Sequence, residues 1–253
     1  MVGEVIEGRV IPPLPDRPPR GGREHVIDCR ELSTREVNTT IKRLIADGVP
    51  EIVLDHPDGR HALAVALKAE VTIHFTGSVG WYVAGMNDGP HVVVDGNVGW
   101  GAAECMMQGR LDVHGHAGSG AGASIRGGLV YVAGDTGARC GISMKGGAIV
   151  VAGSVGYMSG FMMQRGCLVV CGDAADGLGD SMYEGRIFVG GSVESLGADA
   201  VEKEPEPADV EALRGLLEAC GLDADPGRFR KIESGRRLWN FSTREPELWR
   251  AAL

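Results

Sequence analysis

The sequence is poor in aromatic residues, which make up 5% of its 253 positions, so we do not expect a thick core built from large rings. It contains no run of about 18 apolar residues, the length that a membrane-spanning helix requires. Its first residues lack the basic and then apolar pattern of a secretion signal. These absences predict a cytoplasmic chain with no membrane partner.

Positive charge and cysteine are also in short supply. The formal net charge is -9, which disfavours nucleic acid as a partner. The cysteines are too sparse for a disulfide scaffold, and they fit a reducing cytoplasm. They are Cys29, Cys105, Cys140, Cys167, Cys171 and Cys220.

Glycine, in contrast, is abundant: it makes up 40 of the 253 residues, more than twice its usual share of about 7%. The Gly-X-Y period of collagen is absent. Seven glycines instead recur at a constant interval of 19 residues, and we call them the register glycines. They are Gly77, Gly96, Gly115, Gly134, Gly153, Gly172 and Gly191.

Other columns of residues keep the same phase. Three residues after the register glycine come five further glycines, and the column then changes to Ala175 and Glu194. The position seven residues after it holds only small residues: Ala84, Ala103, Gly122, Gly141, Gly160, Gly179 and Ala198. Ten residues after it lies a column that we interpret as core filler: Asn87, Met106, Ile125, Met144, Met163, Met182 and Val201.

Before each register glycine the apolar pattern has a period of two, which is typical of one inward-facing strand per repeat. A unit of 19 residues with one strand and several glycine corners cannot bury its apolar face alone, and stacking solves this. We therefore predict an all-β fold: a single-stranded parallel β-helix of about seven 19-residue coils over residues 71–201, with short helices in both flanks.

The N-terminal flank, residues 1–70, is expected to contain an extension, a helix and a capping coil. The stretch up to about Arg30 is rich in proline and should be extended. Ser33 and Glu36 form the capping box of a helix that closes near Gly48. Residues 51–67 are interpreted as a degenerate first coil that caps the rod.

The C-terminal flank, residues 202–253, is predicted to hold an acidic linker, a helix that stops at Gly221, and a basic and aromatic arm. Because the arm has no core of its own, we expect it to dock on the rod or on another subunit. Trp239 and Trp249 are its candidate interface residues.

The search for catalytic motifs is largely negative. The sequence has no phosphate-binding loop, no credible dinucleotide fingerprint, no Gly-x-Ser-x-Gly elbow and no His-Glu-x-x-His. Cys167 and Cys171 lack a third nearby thiol for an iron–sulfur cluster. The histidines occupy different columns, which favours structural roles over a metal ladder. We therefore predict no catalytic, cofactor-binding or metal-binding residues on this chain.

One acidic corner is a candidate for an interface or a tunnel. Asp180 shares its column with Glu104, and carboxylates there could orient a passing amine. Corner residues bonded to a glycine-rich backbone are the simpler interpretation. The candidate residues are Glu104, Asp180, Ser181, Tyr183 and Glu184.

The recurring Gly-x-x-Gly-x-x-x-Gly units, such as Gly134, Gly137 and Gly141, resemble the GXGXG domain, the right-handed β-helix at the C-terminal end of the large subunit of glutamate synthase. The free-standing β-helix subunit of N-methylglutamate synthase is the most similar member of that family. Further stretches that carry the resemblance are Arg139–Gly146, Gly156–Met162, Cys171–Gly185 and, upstream, Gly59–Val65. The changes to Ala175 and Glu194 depart from the family pattern and bring the corners of the last two coils into question.

The resemblance implies a hetero-oligomeric complex in which this chain is a structural spacer. A glutaminase-like amidotransferase subunit and a synthase subunit carrying FMN and an iron–sulfur cluster would perform the chemistry. Two alternatives stay open at this point. One is the equivalent β-helix subunit of a formylmethanofuran dehydrogenase or formyltransferase-type complex, and the other is a stand-alone enzyme that uses Glu104 and Asp180.

Overall fold

A computed structural model describes residues 5–6, 9–10 and 24–237 of the chain. Its two α-helices are α1 (Thr34–Ala46) and α2 (Pro207–Ala219), and Pro226–Arg228 forms one 3-10 turn. The strands are β1 (Val5–Ile6), β2 (Arg9–Val10), β3 (Glu24–Asp28), β4 (Glu51–Asp55), β5 (Thr72–Phe75), β6 (Asp88–Val94), β7 (Gln108–Val113), β8 (Leu129–Val132), β9 (Lys145–Val151), β10 (Arg165–Val170), β11 (Arg186–Val189), β12 (Ala200–Lys203) and β13 (Arg230–Ser234).

The main sheet is a stack of nine parallel strands, β3 to β11, as predicted for a solenoid. From β5 onward the register advances by one repeat for each strand. The paired residues are Ile73, Val92, Leu111, Val130, Ile149, Leu168 and Ile187. The 19-residue period is therefore the spacing between coils, and the fold class is confirmed.

A second, thinner row of parallel bridges lies two residues after each register glycine, from Val79 to Val193. The corners next to this row keep their form in the last two coils. The amides of Ala175 and Glu194 donate to the carbonyls of Val155 and Ala174, as Gly156 does to Thr136 one coil earlier. The hydrogen bond of this corner is thus kept without glycine in the last two coils.

The register glycines have a steric cause. A Cβ built on Gly153 would lie 2.7 Å from the carbonyl oxygen of Gly134 in the coil before it. The small column seven residues after the register glycine has a different requirement, because φ is 73° at Gly160 and 57° at Ala84. Close approach of neighbouring coils explains the first column. In the second column a left-handed backbone favours glycine, and a Cβ on Gly160 would also lie 2.6 Å from Cδ1 of the buried Ile187.

The interior of the rod is apolar, and the predicted methionine column is part of it. Met106, Met144, Met163 and Met182 are almost completely buried. Asn87, at the head of this column, accepts a hydrogen bond from the amide of Leu67 through Oδ1, at 2.9 Å. The methionines are therefore core residues.

The N-terminal end of the rod begins earlier than the repeat. β3 pairs in parallel with β4, so this part of the proline-rich stretch is a strand in the sheet. The capping box is confirmed, because Ser33 Oγ accepts from the Glu36 amide and the Glu36 carboxylate accepts from the Ser33 amide. α1 buries Val37, Ile41 and Leu44 against the first coils.

The C-terminal end is closed by antiparallel strands. β13 pairs with β11, and β12 pairs with β13, so the edge of the parallel sheet is covered. The acidic linker expected from residue 202 begins instead in a strand, because Glu202 and Lys203 belong to β12 and pair with β13. Part of the predicted C-terminal arm therefore lies on the rod, while Trp239 and Trp249 lie outside the described residues.

α2 packs on the outer face of the last four coils. Leu213 and Leu217 of this helix join Phe229 and the outward-facing side chains of β8 to β11 in a second apolar core. The outward-facing partners are Tyr131, Val150, Val169 and Phe188. In the first three coils the same column holds His74, Val93 and Asp112, two of which are polar.

Candidate functional site

The two acidic corners, Glu104 and Asp180, are far apart. They lie in one column but four coils from each other, which is about 19 Å along the rod at the usual strand spacing. Asp180 has a local role: its Oδ1 accepts from Ser181 Oγ at 2.7 Å, and its Oδ2 accepts from the Ala198 amide at 3.0 Å. The structure does not bring these carboxylates together.

Tyr183 and Glu184 lie instead at the C-terminal end of the rod, beside an open pocket of about 190 Å³. A second pocket, of about 420 Å³, shares Glu233, Ser234 and Arg236 with the first. Both rims carry charges of both signs: Glu233 lines each pocket, together with Arg186 in the first and Lys203 in the second. A shallow polar surface of this kind is suited to contact with a protein, since small-molecule sites are enclosed and mostly apolar.

Next to these pockets, a buried ion network ties α2 to the sheet. Asp209 accepts from Arg186 Nη1 at 2.8 Å and lies 2.8 Å from Lys231 Nζ, which is also 3.1 Å from Glu233. Burial raises the pKa of the Asp209 carboxyl, but the hydrogen bonds from Lys231, the Glu206 amide and Arg186 outweigh it, and the pKa lies below its usual value. This network has a structural role.

The histidines of the first coils pair with aspartates on the outer face of the sheet. Asp95 lies between two of them, with Oδ2 2.7 Å from His74 Nε2 and Oδ1 3.1 Å from His114 Nδ1. His91 Nε2 lies 2.7 Å from Asp112 Oδ2. Burial raises the pKa of Asp95, but the hydrogen bonds from His114 and His74 prevail and lower it far below its usual value. The preference for structural histidines over a metal ladder agrees with these pairs.

A second polar column was not recognised in the sequence. The residue after each register glycine is Ser, Asn, His or Asp, and its side chain accepts the backbone N–H of its counterpart in the next coil. The backbone N–H of Asn97 donates to Ser78 Oγ at 3.0 Å, and the backbone N–H of Asp135 donates to His116 Nδ1 at 2.9 Å. The full column is Ser78, Asn97, His116, Asp135, Ser154, Asp173 and Ser192.

The thiols are set up for packing and not for reaction. Burial raises the pKa of Cys140 and of Cys167 to about 12, and that of Cys171 to about 11. Thiols of this kind stay protonated at neutral pH. Among the residues that the structure describes, no three His, Cys, Asp or Glu side chains form a group that could hold a metal ion.

Neither helix in the described part of the chain combines the length and the apolar character that crossing a bilayer requires.

These observations define a parallel β-helix whose polar columns hold the coils and the flanking helix in place. The chain is 49% identical over 220 residues to Protein GlxC of Rhizobium meliloti strain 1021, in an alignment that covers 86% of this chain and 96% of that protein. The chain belongs to the GlxC family. No protein-family model matches it.

Proposed function

We propose that this chain is the non-catalytic β-helix subunit of a glutamate synthase-like complex of the N-methylglutamate synthase type. The observation that carries the proposal is the seven-coil register, because its corners are formed by the same Gly-x-x-Gly-x-x-x-Gly units that resemble the GXGXG domain. The similarity to GlxC, which extends over nearly the whole length of that protein, supports a free-standing subunit of this kind.

In this proposal the rod holds a glutaminase-like subunit and a synthase subunit together. FMN and an iron–sulfur cluster belong to the synthase subunit. The contribution of this chain is a rigid spacer of about seven coils, roughly 34 Å long at the usual strand spacing. A stack in which each coil is hydrogen-bonded to both neighbours is suited to that task.

The surface supports a spacer better than an enzyme. Glu104 and Asp180 are separated by four coils, so no single substrate amine can contact both carboxylates. The polar pockets beside Tyr183 and Glu184 are open, and Glu184 lies 3.3 Å from the Nε of Arg165. Such a rim is available to a partner subunit at the end of the rod.

The test is co-expression of the full chain with the products of its neighbouring genes. We expect a stable complex that contains flavin and forms glutamate or exchanges methylamine for its amino group, and that loses subunit association when this chain is omitted. Elution of this chain alone, as a monomer, would overturn the proposal. An assembly without flavin would instead favour the formyltransferase-type alternative.

A single substitution separates the spacer from the stand-alone enzyme. Asp180→Asn retains one side-chain oxygen to accept a hydrogen bond, so the corner should fold. We expect the assembled complex to keep its turnover with this variant. Loss of turnover with assembly intact would place chemistry on this chain and contradict a structural role.

A further inference from the structure

Large apolar side chains are exposed on one short section of the rod. Five of the nine that are exposed in the described part of the chain lie in only two adjacent coils. The same two coils contribute one half-buried carboxylate, that of Glu104. We call these six residues the two-coil patch: Trp81, Tyr82, Met86, Trp100, Glu104 and Met107. Exposed apolar residues that are concentrated in this way mark an interaction surface, whereas scattered single ones do not.

Backbone hydrogen bonds between the two coils hold the patch together. The amide of Tyr82 donates to the carbonyl of Trp100, and the amide of Met86 donates to the carbonyl of Glu104, both at 2.8 Å. The amide of Met107 donates to the coil before it, at the residue that follows Met86, also at 2.8 Å. The patch is therefore one continuous surface, and the repeat fixes the positions of its members.

The carboxylate of Glu104 and the ring of Tyr82 border one point above Gly101. A Cβ at this glycine would lie 2.7 Å from both Cδ1 and Cε1 of Tyr82 and 3.1 Å from Oε2 of Glu104. Tyr82 is 48% exposed, so its ring is accessible to a partner. The structure thus places a negative charge beside an accessible aromatic ring.

The patch supplies no cation for this carboxylate. Within the part of the chain that the structure describes, the side chain of Glu104 has no ion pair. No lysine or arginine lies between Lys68 and Arg110 in the sequence, so neither coil of the patch contains one. Arg110 itself is engaged elsewhere, because its Nε donates to Asp112 and its Nη1 to the carbonyl of Ala219. Charge complementarity therefore favours a cationic partner.

An arginine on a protein surface fits the patch best. A planar guanidinium can stack on an aromatic ring while it donates two hydrogen bonds to a carboxylate, which an ammonium group cannot do. Tyrosine, tryptophan, methionine and arginine are the residues that protein interfaces favour, and the patch holds the first three. Trp81 and Trp100 are stacked with their ring centroids 5.6 Å apart, and Trp100 is 59% exposed. Such an open surface differs from the enclosed pockets that bind small molecules.

We propose that the two-coil patch is a docking surface for a partner protein that presents an arginine to Glu104 and Tyr82. The guanidinium pairs with the Glu104 carboxylate and lies on the Tyr82 ring, while apolar side chains of the partner cover the tryptophans and methionines. This inference goes beyond the proposed function, which assigns a partner to the C-terminal end of the rod, and it holds or fails independently of it.

The test uses the full chain, isotopically labelled in its methionine methyl groups, and NMR spectroscopy. Met86 and Met107 report on the patch, and the completely buried Met144 is the internal reference. The probes are two tripeptides with blocked ends, Leu-Arg-Leu and Leu-Lys-Leu, at equal ionic strength. We expect the arginine peptide to shift the Met86 and Met107 signals saturably and to leave Met144 unchanged. It should bind about three-fold more tightly than the lysine peptide.

Two substitutions remove one recognition element each. Glu104→Gln keeps the shape of the side chain without its charge, and the arginine peptide should bind it about five-fold more weakly. Tyr82→Met removes the ring, and binding should weaken about three-fold. The column of Tyr82 already contains Met158 in the same left-handed conformation, so this variant should fold. Glu184→Gln is the matched control: Glu184 pairs with Arg165 at the other end of the rod, and its loss should leave binding unchanged.

The Met144 signal also shows whether each variant is folded. Absence of a saturable shift at millimolar arginine peptide would overturn the proposal, as would equal binding of the two peptides or unchanged binding by Glu104→Gln. Shifts of Met86 and Met107 that appear when the protein concentration is raised without peptide would also overturn it, because they would identify a second copy of this chain as the occupant.

Discussion

The Nζ of Lys231 lies 2.8 Å from Oδ2 of Asp209, and both side chains are almost completely buried. Lys231 is on β13 and Asp209 is in the first turn of α2, so this ion pair joins the helix to the strand that closes the rod. α2 and β13 are therefore an integral part of the folded unit.

We expect Asp209→Ala to lower the free energy of unfolding by about 3–5 kcal/mol, because it leaves the Lys231 ammonium buried without its main partner. Urea denaturation measures this loss. Glu202→Gln is the matched control: Glu202 pairs with Arg230 on the exposed side of the same strands, and its removal should cost less than about 1 kcal/mol. If the two variants were equally stable, the buried pair would have no special role.

The rod itself was predictable from sequence because one strand and its corners repeat without insertion. Every inward-facing residue from Ile73 to Ile187 lies at the position that the 19-residue phase assigns to it. The outer face was missed although it carried a signal. The outward column changes from polar in the first coils to apolar from Tyr131 onward, which is where α2 packs.

The closing strand was harder to predict. β13 has the sequence Arg-Lys-Ile-Glu-Ser, whose charges suggest a solvated segment. Lys231 can be buried because it forms an ion pair with Asp209 of α2, 22 residues earlier in the chain. This tertiary contact is not visible in the local sequence of β13. The separation of Glu104 from Asp180 could have been derived from the coil count, although the sequence analysis grouped the two residues. The open pockets beside Tyr183 depend on β13 and could not be anticipated.

Asp95 makes the stability of the first coils dependent on pH. Its pKa is lowered in the folded chain, so it stabilises the fold above the pKa of the unfolded chain, near 3.9, and this contribution is lost as the pH falls through the lower folded value. We expect Asp95→Asn to cost about 1 kcal/mol at pH 7, given the partial exposure of the carboxylate. The difference from the parent chain should shrink below about pH 4.

Thermal or urea unfolding across pH 3–7 measures this effect. Asp88→Asn, an exposed carboxylate with no ion pair in the described part of the chain, is the control. A difference between parent and Asp95→Asn that does not change with pH would show that the charge of the Asp95 carboxylate does not contribute to stability, contrary to the role assigned to the two histidines.

Two glycine-to-alanine substitutions separate close coil packing from general glycine effects. Gly153→Ala places a Cβ 2.8 Å from the carbonyl carbon of Gly134, and we expect a loss of about 3 kcal/mol or more in unfolding free energy. Gly215→Ala, on the exposed face of α2 with no atom within 4 Å of the new Cβ, should stabilise the chain by about 0.5–1 kcal/mol. Opposite signs are the expected result, and a tolerated Gly153→Ala would refute the steric explanation of the register glycines.

The methionine column should behave as a core and not as a binding surface. Met144 is completely buried, so Met144→Ala should lower the free energy of unfolding by about 2–5 kcal/mol, while Met144→Leu should cost less than about 1.5 kcal/mol. Met162→Ala, one coil further on and 38% exposed, should change it by no more than about 0.5 kcal/mol. Urea denaturation of the three variants separates the effect of burial, which differs between Met144 and Met162, from the effect of the side chain introduced at Met144. The cavity left by Met144→Ala lies inside the stack of coils, so this variant should lose more unfolding free energy than Met162→Ala. Equal losses would mean that the coils collapse around the missing side chain.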